Sequence, residues 1–224
     1  MKKYAVIVAG GSGSRMGGEL PKQFQLIDGK PVLYYSIDAF LKAHNDLQII
    51  LVLPELHLQL GQEIVDAFFD HHRVSLTVGG RTRFHSVQNG LQMVTEESVV
   101  FVHDGVRCLI TPEMIRRCCD EALHLGAVIP VVECKDSLRL VTDTGNEALN
   151  RDQVKLVQTP QTFHSKILLP AFNIDYKERF TDEAAVVEAF GLPVHLIEGD
   201  AENIKITYAA DMLMAERILA ARKR

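Results

Sequence analysis

Short apolar runs that end at glycine, proline or a polar cluster recur along the first part of the chain, with helical patterns between them. The apolar runs cover residues 4–9, 48–53, 74–78, 98–102 and 127–132. The helical patterns cover residues 32–42, 56–69, 83–93 and 112–125. Short runs rich in valine and isoleucine are typical of parallel strands buried on both faces. Their alternation with helices predicts an α/β fold with a doubly wound, mostly parallel sheet of the Rossmann type.

The pattern changes after about residue 133. Residues 137–141 alternate polar and apolar side chains, 142–146 have a turn composition, and 154–157 are strand-like again. We interpret residues 135–157 as a β-hairpin arm that projects from a single domain spanning residues 1–224. The α/β pattern then returns with segments at 181–190, 194–197, 204–207 and 209–222. The chain ends in Arg-Lys-Arg, and we expect these cations to form a solvated cap at the negative end of the last helix.

The composition excludes several classes of protein. The net charge of −5 gives no electrostatic reason to expect binding to nucleic acid or to an anionic membrane. No apolar run approaches the length of a membrane span, and residues 4–9 are too short for a signal peptide. The cysteines are Cys108, Cys118, Cys119 and Cys134, without a C-x-x-C pair or zinc spacing. We expect these cysteines to be core residues and the protein to be cytoplasmic.

A glycine-rich loop directly follows the first predicted strand. It runs Ala9-Gly10-Gly11-Ser12-Gly13-Ser14-Arg15-Met16-Gly17-Gly18. In a doubly wound sheet this position faces the ligand crevice, where glycine lets backbone N–H groups approach phosphate oxygens. A P-loop would need Lys and Ser or Thr after Gly18, but Glu19 and Leu20 follow. A dinucleotide fingerprint would need a third glycine where Met16 stands, and a dinucleotide-dependent oxidoreductase stays as an alternative.

Two cations flank this loop. Arg15 and Lys22 stand on either side of Gly17, Gly18 and Pro21. Attack on the α-phosphate of a nucleotide builds negative charge on phosphoryl oxygens, and fixed cations stabilise that charge. The sequence therefore favours a nucleotidyl-transfer site, although either side chain alone could be an ordinary surface residue.

At this point the chain resembles the 2-C-methyl-D-erythritol 4-phosphate cytidylyltransferases of the non-mevalonate isoprenoid pathway. The motifs that carry the resemblance are Gly10-Gly11-Ser12-Gly13-Ser14-Arg15-Met16-Gly17, Pro21-Lys22-Gln23-Phe24, Gly79-Gly80-x-x-Arg83-x-x-Ser86-Val87, His103-Asp104-Gly105-Val106-Arg107, Gln158-Thr159-Pro160-Gln161-x-Phe163, Thr181-Asp182-Glu183-Ala184 and Asn203-Ile204-Lys205-Ile206-Thr207. They span nearly the whole chain in the family's order. The resemblance implies a nucleotidyltransferase-like fold, CTP as co-substrate and a sugar-alcohol phosphate as acceptor.

The resemblance also implies roles for individual residues. For CTP they are Ala9, Gly10, Gly11, Gly13 and Arg15 around the triphosphate, Lys22 and Lys205 at the α-phosphate, and Gly80 and Ser86 at the cytosine. For the acceptor they are Asp104, Arg107, Ser137, Arg151 and Thr159. Asp104 is also the candidate ligand for Mg²⁺, which is expected because it neutralises triphosphate charge. By the same resemblance the arm reaches across a homodimer and delivers Arg151 to the partner's site.

Several residues have a plainer interpretation. The hydroxyl of Ser86 could make only a local bond at a helix start, and Asp104 could simply form a turn before Gly105. We expect His103 to pack in the core, because an ionised acceptor phosphate needs no base. Asp182 and Glu183 suit the N-terminus of a helix better than catalysis.

The sequence departs from the family pattern only on the acceptor side. Gly105-Val106-Arg107-Cys108 replaces the usual Ala-Ala-Arg-Pro, Asn150 replaces an Asp before Arg151, and Cys134-Lys135 precedes Asp136-Ser137. Two further alternatives therefore stay open at this level. One is a ribitol 5-phosphate cytidylyltransferase, and the other is a nucleotide-binding protein without activity, which the retention of Arg15, Lys22 and Lys205 disfavours.

Overall fold

The structure is a computed structural model that describes residues 1–10 and 20–223. Its strands are β1 (Lys2–Val8), β2 (Leu26–Ile27), β3 (Lys30–Pro31), β4 (Leu47–Leu53), β5 (Val74–Val78), β6 (Ser98–Asp104), β7 (Ala127–Glu133), β8 (Leu138–Thr142), β9 (Gly145–Leu149), β10 (Lys155–Val157), β11 (Gln161–His164) and β12 (His195–Glu198). Its α-helices are α1 (Val32–Ala43), α2 (Leu58–Phe68), α3 (Arg83–Leu91), α4 (Pro112–Leu125), α5 (Ser165–Ala171), α6 (Glu183–Ala189) and α7 (Ala209–Arg222). Short 3-10 helices cover Lys22–Phe24, Glu55–His57 and Arg151–Gln153.

Eight strands form the central sheet. Seven follow the order β10-β7-β11-β6-β1-β4-β5, and β12 also pairs with β7. The pairs β1–β4, β1–β6, β4–β5 and β7–β12 are parallel. The pairs of β10 with β7 and of β11 with β6 and β7 are antiparallel. The prediction of a mostly parallel sheet is confirmed.

Helices cover both faces of this sheet. Along β1, Ala5 and Ile7 belong to one hydrophobic cluster, together with residues of α1, α2 and α4. Tyr4, Val6 and Val8 belong to a second cluster with residues of α3, α5 and α6. Side chains of a strand alternate between faces, so a continuous apolar run supplies both clusters. The doubly wound arrangement predicted from such runs is thereby confirmed.

Helix α4 begins and ends where the sequence predicts. The Thr111 hydroxyl accepts from the backbone N–H of Met114 at 3.2 Å, and Gly126 ends the helix with a φ of 83°. A positive φ there favours glycine, which has no Cβ to clash. Cys118 and Cys119 are buried on this helix, and all four thiols are free and buried, as expected for core residues.

Two predicted elements differ in the structure. The helix predicted from residue 56 begins at Leu58, because Pro54 is followed by the 3-10 turn Glu55–His57. The strand-like pattern at 204–207 is not a strand. These residues form an irregular segment in which Ile206 is fully buried, in a third cluster with residues of α7.

The arm is shorter than predicted. Strands β8 and β9 pair as a separate two-stranded hairpin between Leu138 and Leu149. Residues 154–157, which we expected in the arm, instead supply β10, which pairs with the edge of β7 in the central sheet. Leu140, Val141 and Leu149 of the hairpin are exposed.

Among the helices of residues 1–10 and 20–223, none has the length and apolarity required to cross a bilayer.

Candidate active site

The carboxyl ends of four parallel strands open into one pocket of about 620 Å³. Gly10 follows β1, Pro54 follows β4, Gly79 follows β5, and Asp104 is the last residue of β6. Ligands of open α/β sheets bind at this edge, where the chain crosses to helices on opposite faces. The pocket is therefore the expected place for a nucleotide.

Most of the residues predicted on the CTP side lie together in this pocket. Its lining includes Ala9, Gly10, Lys22, Gly80, Ser86, Asp104 and Lys205. Lys22 and Lys205 come from opposite ends of the chain. Gly11, Gly13 and Arg15 lie outside the described residues.

Asp104 is the charged centre of the pocket. Its Oδ1 accepts from Arg83 Nε at 3.1 Å, and its Oδ2 lies 2.8 Å from Lys205 Nζ and 3.9 Å from Arg107 Nε. Burial would raise the pKa of Asp104, but the neighbouring cations Arg83, Lys205 and Arg107 hold it far below its ordinary value. The carboxylate stays ionised and fixes the position of Lys205.

Arg83 joins this carboxylate to a second one. Its two terminal nitrogens donate to both carboxylate oxygens of Glu183, which is fully buried at the start of α6. Burial raises the pKa of Glu183, although the charge of Arg83 opposes that shift. Glu183 lies in the first turn of α6, as expected of a helix N-terminal charge, and its side chain also points inward to Arg83. Asp182 does cap α6, by accepting from Ala185 N at 2.9 Å.

A chain of hydrogen bonds lies behind Asp104. His103 Nε2 lies 3.2 Å from the carbonyl oxygen of Arg107, which can only accept, so Nε2 carries the proton. His103 Nδ1 therefore accepts from the Thr159 hydroxyl at 3.0 Å, and that hydroxyl accepts from Asp104 N at 3.1 Å. Burial lowers the pKa of His103 to about 4, so it is a neutral packing residue as expected.

At the opposite end of the pocket Ser86 holds the loop after β5. Its hydroxyl donates to Thr82 O at 3.0 Å and accepts from Gly80 N at 3.0 Å. A Cβ at Gly80 would lie 2.3 Å from His85 Cβ, so this position has no room for a side chain. The local bond at the helix start is present, and it shapes the loop after β5.

The residues predicted on the acceptor side are spread more widely. Arg107 and Thr159 lie directly behind Asp104, and Arg107 Nη1 donates to Asn203 O at 2.8 Å. Among the described residues, neither Ser137 nor Arg151 lines the large pocket. Arg151 donates to Lys135 O at 3.0 Å and lines a separate cleft of about 350 Å³ with Lys135 and Lys155.

The donor set for a metal is small. Within residues 1–10 and 20–223, no cluster of three or more His, Cys, Asp or Glu side chains could hold an ion by itself. Mg²⁺ commonly takes one or two carboxylates and completes its shell with substrate phosphates and water. Asp104, with Glu55 at the pocket rim, fits that mode of binding rather than an all-protein cage.

Sequence reasoning gave no role in the site to Arg83, and it gave Glu183 only the role of a charge at a helix N-terminus. Arg83 was visible as part of the Gly79-Gly80-x-x-Arg83 motif, three positions after Gly80, which the resemblance assigns to the cytosine. Nothing in the sequence pairs it with Glu183, because the two residues are separated by 100 positions.

Comparisons with known proteins show the family of this chain. The family model of IspD, 2-C-methyl-D-erythritol 4-phosphate cytidylyltransferase, matches residues 4–221. The proteins of that name from Bacteroides thetaiotaomicron and Bacteroides fragilis are 48% and 46% identical, with 98% of this chain and 100% of each relative aligned.

Solved structures show the same fold. The 4-diphosphocytidyl-2C-methyl-D-erythritol synthase of Anaerococcus prevotii superposes with a TM-score of 0.83 at 27% identity over 98% of both chains. The 2-C-methyl-D-erythritol 4-phosphate cytidylyltransferase of Francisella tularensis gives a TM-score of 0.80 at 29% identity, over 97% of this chain and 99% of that one. With the pocket at the carboxyl edge and the family match over nearly its whole length, the chain belongs to the 2-C-methyl-D-erythritol 4-phosphate cytidylyltransferase family.

Proposed function

We propose that this chain transfers CMP from CTP to 2-C-methyl-D-erythritol 4-phosphate and releases pyrophosphate. The observation that carries the proposal is the convergence of Lys22 and Lys205 with the Gly79–Gly80 loop in one pocket, in a chain of this family. The end of the pocket formed by the Gly79–Gly80 loop would bind the base of the nucleotide, and the two lysines would bind its phosphates.

The chemistry is a single displacement. A phosphate oxygen of the acceptor forms a bond to the α-phosphorus of CTP in line with the bond to the β-phosphate oxygen. That second bond breaks, and pyrophosphate leaves with its electron pair. Lys22 and Lys205 would stabilise the charge that grows on the α-phosphate oxygens. Arg15, with Gly11 and Gly13, would bind the triphosphate beside Ala9 and Gly10.

The base would lie against Gly80 and Ser86. Backbone groups of a side-chain-free loop can approach the edge of cytosine closely, and the Ser86 bond to Gly80 N keeps that loop in place. Asp104 would bind an acceptor hydroxyl. Thr159 and Arg107 support Asp104 from behind, so we assign to Thr159 a positioning role through its bond to the Asp104 backbone.

Mg²⁺ is the expected cofactor, held by Asp104 together with the triphosphate, where it would neutralise phosphate charge.

We further propose that the protein acts in the cytoplasm as a homodimer. Its buried free thiols suit a reducing compartment. The exposed Leu140, Val141 and Leu149 suit a second subunit, which would place Ser137 and Arg151 against the partner's acceptor phosphate.

The test is pyrophosphate release from CTP with each acceptor offered separately. We expect turnover with 2-C-methyl-D-erythritol 4-phosphate and none with ribitol 5-phosphate. Turnover with ribitol 5-phosphate alone would retain the cytidylyltransferase class and reject the acceptor. No turnover with either, together with CTP binding by calorimetry, would indicate a nucleotide-binding protein.

A further inference from the structure

The segment that carries Lys205 has no helix or strand, yet residues on both sides of the lysine are fully buried. Asn203 and Ile206 have no exposed surface, whereas the side chain of Lys205 is 45% exposed. A lysine between two buried residues takes its position from whatever holds its neighbours. The contacts of residues 200–206, here called the Lys205 segment, therefore hold the backbone from which the Lys205 ammonium group reaches Asp104.

One side of the Lys205 segment is held from within the domain. Gln158 donates to Asp200 O at 2.7 Å and accepts from Asp200 N at 3.1 Å. Asn203 Nδ2 donates to Thr159 O at 2.9 Å, and Ile206 N donates to Val106 O at 3.0 Å. These bonds tie the segment to the loops behind Asp104.

The other side is held by the last turn of α7. Arg222 Nη1 donates to Leu109 O at 2.7 Å, while its Nη2 and Nε donate to Glu202 Oε2 at 2.8 and 3.2 Å. One guanidinium thus joins the loop after β6 to the Lys205 segment. We expected the terminal cations to form a solvated cap, and this is wrong for Arg222, whose guanidinium binds Leu109 and Glu202. Lys223 pairs with Asp28, and Arg224 lies outside the described residues.

We propose that Arg222 is a positioning residue that holds Lys205 in its productive place through Glu202. This inference rests on the proposed role of Lys205 in the transfer reaction. An Arg–Glu pair with partly exposed side chains contributes little to global stability. Catalysis is more sensitive, because a displacement of about 1 Å in a catalytic group can cost about a hundredfold in rate.

The test is a double-mutant cycle on kcat with Arg222→Gln and Lys205→Ala. Arg222→Gln lowers kcat about tenfold in the wild-type background, with KM for CTP changed less than about twofold. In the Lys205→Ala background the same substitution has no further effect, because the group that it positions is gone. Glu202→Gln behaves like Arg222→Gln. Arg217→Gln, at an exposed arginine of the same helix, is the matched control and leaves kcat unchanged.

Hydrogen exchange gives a readout that does not depend on turnover. The amides of Asn203, Ile204 and Ile206 donate to backbone carbonyls and exchange faster in Arg222→Gln than in Arg217→Gln. A tenfold loss that persists in the Lys205→Ala background, or exchange rates equal to the control, overturns the inference. Absence of turnover in the wild-type chain with both acceptors overturns the proposed function instead. The exchange rates still report whether Arg222 holds the Lys205 segment.

Discussion

The guanidinium of Arg83 binds both carboxylate oxygens of Glu183 across 100 positions of sequence, and it also donates to Asp104. Arg83 begins α3 after the Gly79–Gly80 loop, and Glu183 begins α6. The pair therefore links two helices to the carboxylate that holds Lys205.

Removal of the negative charge from Glu183 should destabilise the fold. Glu183→Gln keeps the size of the side chain but leaves Arg83, among the residues that the structure describes, with Asp104 alone as an ionic partner. Breaking a buried pair typically costs 3–5 kcal/mol, and we expect about 3 kcal/mol because Asp104 compensates in part. Urea unfolding measures the change, with Glu188→Gln on the exposed side of the same helix as control. Equal stability of the two variants would mean that the pair is dispensable.

Lys22 and Lys205 should act on kcat more than on KM. Each Lys→Ala substitution removes a cation that is needed most when charge grows on the α-phosphate. We expect a loss of about 3 kcal/mol of transition-state stabilisation for each, or roughly a hundredfold in kcat. Steady-state kinetics with varied CTP separates the two parameters. A kcat within threefold of wild type for both variants would reject the assignment.

The parallel strands were predictable because burial on both faces leaves an uninterrupted apolar run in the sequence. Strand β11 leaves no such mark. Its residue Gln161 is polar but fully buried, and its amide accepts from Ala184 N at 2.8 Å and donates to Asp182 at 3.0 Å. Hydrogen bonds to residues distant in sequence satisfy this buried side chain where an apolar residue would otherwise be expected. The sequence alone does not show that Asp182 and Ala184 are its partners.

The residues of the site also fall into a group that the sequence reveals and a group that it does not. The first group lies at strand ends or in motifs and is brought together by the sheet topology; it comprises Lys22, Gly80, Ser86, Asp104 and Lys205. Glu183 and Arg222 have ordinary helix-end positions in the sequence. Their functions depend on which distant residue they face, which only the folded chain determines.

His103 should make the stability depend on pH. Burial lowers the pKa of His103 in the folded protein from 6.5 to about 4. Between these values the unfolded chain binds a proton that the folded chain excludes, so stability is full above about pH 6.5 and falls as the pH falls toward 4. The full difference approaches about 3 kcal/mol.

Denaturant unfolding in metal-free buffer measures this dependence. His103→Gln should remove that part of the slope, while His124→Gln, at an exposed histidine, should keep it. Identical slopes in wild type and His103→Gln would show that the pKa of His103 is the same in the folded and the unfolded chain.

Removal of divalent metal should stop turnover. The triphosphate carries several negative charges, and among the described residues only Asp104 and Glu55 offer carboxylates in the pocket. We expect excess EDTA to abolish pyrophosphate release and Mg²⁺ to restore it. The metal would neutralise the part of the triphosphate charge that the lysines do not neutralise. Full activity in EDTA would remove the metal from the mechanism.

Arg151 should serve the partner subunit's site. It lies outside the large pocket of its own chain, beyond a hairpin whose Leu140 and Val141 are exposed, and a lone hairpin is marginal in water. A two-fold dimer would cover the same patch on both chains and bring each Arg151 to the other pocket.

Chains with Arg151→Ala and chains with Lys22→Ala should each be nearly inactive. In a mixed dimer one site would then carry both substitutions and the other neither, so mixing should restore activity in proportion to the mixed dimers formed. Mass spectrometry of the mixture confirms subunit exchange, and exchange without recovered activity would show that Arg151 acts in its own chain or has no role.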